Sequence, residues 1–152
     1  MLSSILSGET CANCRNCCVF EVQSTWELPT FSAKTAARLA DHPAYTAAQE
    51  GARFRITLPD TGEAQPCPFL NPHSGCTLPA DEKPFACKLW PVRVMRQADG
   101  SLALALYRGC PGIPDADALR PLLESGLRER IFAEAERDPS IILPYHPNYD
   151  WL

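Results

Sequence analysis

Eight cysteines in 152 residues constrain this chain more than any other feature, because four of them are crowded into Cys11-Ala-Asn-Cys14-Arg-Asn-Cys17-Cys18. The other four, Cys67, Cys76, Cys87 and Cys110, are spread over the next hundred residues. A C-x2-C-x2-C run lets three sulfurs converge from one tight loop while successive backbone N–H groups point inward, and such a nest favours a negatively charged thiolate–metal centre. Neighbouring side chains normally diverge, so Cys17 and Cys18 are not expected to serve one tetrahedral ion. Two centres, or one polynuclear centre, follow more naturally. Eight thiolates divide four and four, and four cysteines saturate either a structural Zn2+ or a [4Fe-4S] cluster.

The fourth ligand of the first set has to come from a distance, since the position three residues beyond Cys17 plus one is Glu21 and not cysteine. In ferredoxin-type loops of this spacing a cysteine followed by proline completes the set. Cys67-Pro68 and Cys110-Pro111 both have that form. Cys11, Cys14 and Cys17 are therefore expected to share one centre with Cys110 or Cys67, and Cys18 to turn toward the cysteines left over.

Compartment bears on the same question. The N-terminus has no basic stretch followed by an apolar one, so no signal peptide is expected, and no run of about 18 apolar residues suggests a membrane span. A cytoplasmic location is the expectation, and reduced thiols there suit metal or redox chemistry better than disulfides. A net charge of -4 argues against nucleic acid as a partner. Residues 83–113 nevertheless carry five basic side chains against one acidic, around Cys87 and Cys110. Lys83, Lys88, Arg93 and Arg108 are candidates to offset thiolate charge, with Lys88 and Arg108 preferred. Glu9 and Glu21, which bracket the cysteine run, are candidate outer groups. His42, His73 and His146 read as turn or surface residues.

The pattern of the rest predicts a small α+β domain over residues 1–152, with a metal core at about 9–113, helices at about 115–137 and an apolar tail at 139–152. Thr30 or Ser32 caps a helix over 33–40 that His42-Pro43 stops, with a further helical turn toward Glu50. Phe54, Ile56 and Leu58 alternate as a half-buried strand, and residues 92–95 and 102–106 form a hairpin about Ala98-Asp99-Gly100. Asp115 caps a helix running to about Arg137, bent by Pro121 and Gly126. Ile141, Leu143, Tyr145, Tyr149 and Trp151 are too apolar for a free end and should pack on the domain or on a second copy of the chain.

The ordered pattern Cys11-x2-Cys14-x2-Cys17-Cys18, Cys67-Pro68-Phe69-Leu70, Cys76, Lys83-Pro84-Phe85-Ala86-Cys87-Lys88-Leu89-Trp90-Pro91 and Cys110 resembles the CxxCxxCC (YkgJ-like) family. The resemblance covers about residues 9–111 and implies a zinc- or iron-chelating domain with all eight cysteines as ligands. Where that family usually has C-x-I-Y-x-x-R-P-x-x-C-R, this chain has Leu78-Pro79, Lys83 and Lys88, so the tyrosine and both arginines are replaced. A related cluster occurs in flagellin lysine N-methylases, for which this chain is too short to be a complete counterpart.

Together these readings give an iron-sulfur or zinc protein with a redox or accessory role toward a partner enzyme. The alternative is a redox-inert, zinc-stabilised interaction module. A third reading is a thiol oxidoreductase using Cys17 and Cys18. No nucleophile–base pair, phosphate loop or paired-carboxylate motif points to another chemistry.

Overall fold

The computed structural model describes Leu2, Leu6, residues 8–113 and residues 115–152, apart from the side chains of Gly8, Cys11, Gln23 and Thr25. The cysteine run begins on a short helix: α1 (Gly8–Cys14) stops at Arg15, whose left-handed backbone (φ 58°) turns the chain into a 3-10 turn over Asn16–Cys18 and then β1 (Val19–Phe20). β2 (Thr30–Ser32) leads directly into α2 (Ala33–Leu39), where the Ser32 hydroxyl accepts the Thr35 N–H at 3.2 Å and satisfies one otherwise unpaired donor of the first turn.

The segment before Glu50 is not helical. It forms β3 (Ala47–Glu50), joined at Gly51 to the expected strand β4 (Arg53–Ile56). The left-handed φ of 58° at Gly51 permits the tight reversal, and the pairing Gln49↔Phe54 together with the Arg55–Glu50 ion pair holds the register. Helix propensity before Glu50 therefore loses to a neighbouring strand with an open edge. β4 pairs on its other side with β2, giving a three-stranded antiparallel sheet.

Two short ladders follow. β5 (Gln65–Pro66) pairs with β1, and β6 (Leu70–Asn71) pairs with β7 (Gly75–Cys76). After α3 (Phe85–Leu89), the hairpin forms as β8 (Val92–Arg96) and β9 (Leu102–Tyr107). The second helical region is α4 (Arg120–Leu122), a wide π turn at Leu123–Leu127, and α5 (Arg128–Arg137). The bend falls at Gly126, whose φ of 95° is one that side chains rarely adopt.

The tail packs on the domain. β10 (Ile142–Pro144) lies parallel to β8, and β11 (Tyr149–Trp151) lies antiparallel to β9, so the hairpin becomes the centre of a four-stranded sheet ordered β10-β8-β9-β11. Tyr149 is buried while Tyr145 and Trp151 stack on each other at the surface, with ring centroids 4.8 Å apart.

Strand alternation decides what this sheet presents on each side. Val92, Val94, Leu104 and Leu106 face one way and join Leu123, Leu127 and Ile131 in the main core beneath α5. Met95, Ala105, Leu143 and Tyr149 form a second cluster with Trp26, Trp90 and Tyr107. Arg93 shares the parity of Met95 along β8, so it is turned away from the α5 core. A third cluster, Phe20, Leu28, Phe31, Ile56, Phe69 and Leu78, binds the N-terminal sheet to the loop after β5. The result is a mixed α+β domain. None of the described helices is long and apolar enough to cross a membrane.

Candidate functional site

Between the outer face of β8 and the Phe31–Phe69 cluster lies a cavity of about 250 Å³. Cys17, Cys18, Cys67, Cys76 and Cys87 all line it, together with Arg15, Lys83 and Arg93. A different element delivers each thiol: Cys17 and Cys18 come from the 3-10 turn, Cys67 from the loop after β5, Cys76 from β7 and Cys87 from α3. The backbone of Cys67 is tied to the cysteine run by its N–H, which donates to the Cys18 carbonyl at 2.7 Å. On the other side of Cys17 a narrow crevice of about 20 Å³ is lined by Cys14, Cys17 and Cys110. Cys17 stands between the two groups.

Both Cys-Pro segments fold the same way. Leu70 N–H donates to the Cys67 carbonyl at 2.9 Å, and Ile113 N–H donates to the Cys110 carbonyl at 3.2 Å. Each turn aims backbone amides at its own sulfur, that of Phe69 at Cys67 and those of Gly112 and Ile113 at Cys110. Proline at the next position has no N–H to compete, and the amides that follow stabilise a thiolate. One such turn serves each thiol group.

The electrostatics follow from burial opposed by these donors. Burial pushes the Cys87 thiol up to about 12, against the pull of Arg93, and the charges of Cys67, Cys76 and Cys17 raise it further. Cys87 keeps solvent-accessible surface, so its thiol is enclosed by protein yet open to the cavity. Burial likewise raises Cys67 to about 11, offset by the Phe69 amide. Cys110 is raised by burial and next lowered by its two amides. Cys17 and Cys18 share a proton across a sulfur–sulfur contact of 3.7 Å. That hydrogen bond holds Cys17 below the ordinary thiol value, helped by Arg93 and Lys83 against burial, and it drives Cys18 upward. The contact corrects the expectation that the two neighbouring side chains diverge. The 3-10 turn after left-handed Arg15 brings them to one side.

Arg93 is the buried cation of this cavity, 5% exposed. One Nη donates to the Ala86 carbonyl at 2.6 Å and the guanidinium lies over the Trp90 ring, 4.6 Å from its centroid. Its Nε has no hydrogen-bond partner among the described residues. A buried guanidinium with an unsatisfied donor is costly unless an anion accompanies it, and this cavity can supply thiolates and the Glu27 carboxylate.

Of the basic residues singled out in the sequence, Lys83 and Arg93 face the thiols. Lys88 does not line the cavity, and Arg108 is held at the surface by Asp150, with nitrogen–oxygen distances of 2.9 and 2.6 Å. That preference was misplaced because Arg108 lies beyond the end of β9, where it meets a carboxylate 42 residues away. His73 is exposed on its turn. The carboxylate on the thiol cavity is Glu27, which sequence spacing did not single out. The side chain of Cys11 lies outside the described residues, and the seven other cysteines are free thiols.

Among the described residues, no three His, Cys, Asp or Glu side chains gather closely enough to hold a single metal ion. The thiols instead surround a space. No protein-family model matches the chain, and no curated protein or solved structure matches it either.

Proposed function

We propose that the chain is a thiolate metal protein carrying an iron-sulfur cluster, with Cys18, Cys67, Cys76 and Cys87 as one ligand group and Cys11, Cys14, Cys17 and Cys110 as a second. The observation that carries this reading is the convergence of five thiols and three cationic residues, Arg15, Lys83 and Arg93, on one cavity. Thiols spread around about 250 Å³ suit a polynuclear cluster better than a point-like ion. The resemblance to the CxxCxxCC pattern supports the same assignment. When bound, such a cluster supplies one-electron chemistry, which fits an electron-transfer or accessory role beside a partner enzyme. The chain's own part is to position the sulfurs by the two Cys-Pro turns, exclude water with Phe31, Phe69 and Trp90, and compensate negative charge with Arg93 and Lys83.

A zinc-stabilised module is the second reading, favoured by one distance, and it differs from the grouping above in having Cys17 and Cys18 share an ion. Tetrahedral Zn–S bonds of about 2.3 Å place ligand sulfurs about 3.8 Å apart, close to the 3.7 Å between Cys17 and Cys18. The visible absorption spectrum of anaerobically purified protein separates the two. A cluster gives broad sulfur-to-iron bands and a brown solution, and zinc gives none. A colourless protein that contains stoichiometric zinc overturns the first reading and establishes the second.

The charge argument has its own test. Replacing Arg93 with Met removes the buried cation at nearly constant length, and metal retention against a chelator should fall about tenfold or more. Arg108→Met, at the surface pair with Asp150, should change retention little. Equal effects of the two replacements, measured by chelator competition, would refute the role given to Arg93.

A further inference from the structure

A second cavity of about 220 Å³ adjoins the thiol cavity, sharing Glu27 and Trp90 with it. Its chemistry is different. Rings of Trp26, Trp90, Tyr107 and Tyr149 line it beside the carboxylates of Glu21 and Glu27, and no lysine or arginine is among the described residues that do so. The rings are fixed by contact with one another: Trp90 and Tyr107 have centroids 5.0 Å apart, and Tyr107 and Tyr149 have centroids 5.4 Å apart. The Tyr149 hydroxyl donates to Glu27 Oε1, which orients the carboxylate. Among the described residues, no cationic side chain lies within ion-pair distance of Glu27, although it is half-buried.

A half-buried carboxylate with no ion pair among the described residues, set among aromatic side chains, is complementary to a positive group. Ring quadrupoles attract a cation within about 6 Å of a centroid, and a carboxylate adds direct charge attraction. Arg93 and Lys83 share the thiol cavity with Glu27, but neither is within ion-pair distance of it and neither lines this second cavity, so on this side the carboxylate faces no lysine or arginine among the described residues. The geometry points to a binding site for a small organic ammonium ion, held by Glu27 and Glu21 and enclosed by Trp26, Tyr107 and Tyr149. None of these residues is a cysteine, so the inference stands apart from the metal reading. If both hold, the ammonium ion sits next to the thiol cavity, separated from it by Glu27 and Trp90.

Titration of the full chain with tetramethylammonium and with n-butylammonium, followed by tryptophan fluorescence and calorimetry, tests this assignment. The neutral isostere neopentane is too insoluble to serve as a control, so neopentyl alcohol takes that place. At least one of the two ammonium ions is expected to bind saturably, about tenfold or more tighter than neopentyl alcohol. The tighter of the two distinguishes a quaternary from a primary ammonium. Glu27→Gln keeps an acceptor for the Tyr149 hydroxyl and should weaken binding about tenfold. If that variant melts early, Glu21→Gln at the exposed rim and Trp26→Leu provide the same comparison, each with a smaller loss. Neopentyl alcohol binding as tightly as the tighter of the two ions, no saturable binding by either ion, or ion binding unchanged in the folded variants would each overturn the proposal.

Discussion

Stripping metal from the full chain is expected to remove about 10 kcal/mol or more of folding free energy for each four-thiolate zinc site, the scale seen when zinc organises a small peptide. That is comparable with the whole stability of an ordinary domain, about 5–15 kcal/mol. The loss should not be uniform. The thiol half is joined by ladders only two residues long, β1 with β5 and β6 with β7, and its thiols cluster about a cavity where apolar packing would otherwise be. The other half has a four-stranded sheet under α5 with Leu104 and Ile131 fully buried. Hydrogen exchange after chelation should therefore show amides of residues 8–20 and 65–89 losing protection, while those of β8, β9 and α5 keep most of theirs. Unchanged protection and melting after verified metal removal would rule out metal as a structural staple.

The second large effect concerns how the ligands divide. Cys67→Ala with Cys87→Ala removes two members of one group, and Cys14→Ala with Cys110→Ala removes two members of the other. Two remaining thiols cannot hold a four-ligand centre, so each double variant should contain about half the metal of the parent chain. Combining the four replacements should remove essentially all of it. The two Cys-Pro turns are the structural reason for expecting independence, because each sulfur is supported by its own amides. Loss of all metal from either double variant would mean a single shared centre, with Cys17 as its middle ligand.

Much of this arrangement is legible in local pattern. Alternation in Val92-Arg93-Val94-Met95 marks the hairpin strand, and the same alternation places Arg93 opposite the valines that face α5. Ser32 announces its helix through a side-chain oxygen that accepts a first-turn amide, whereas Asp115 caps only a 3-10 turn over Ala116–Ala118, short of α4. The cysteine-proline pairs are legible too, since a residue without an N–H imposes the same turn twice. What local pattern misses is set by distant partners. β3 is a strand because β4 offers an edge across Gly51. β10 is recruited by β8 from nearly fifty residues away. Glu27 reaches its cavity by packing against Tyr149, to which it has no sequence relation. Arg108 is withdrawn from the thiols by Asp150 for the same kind of reason.

The central claim, that these thiols hold metal, is tested most directly by native mass spectrometry of the full chain purified without oxygen. The account predicts a mass above that of the bare polypeptide by bound metal, with sulfide if the centre is a cluster, and loss of that excess in the variant lacking Cys14, Cys67, Cys87 and Cys110. A folded parent chain whose mass equals that of the polypeptide alone would contradict it.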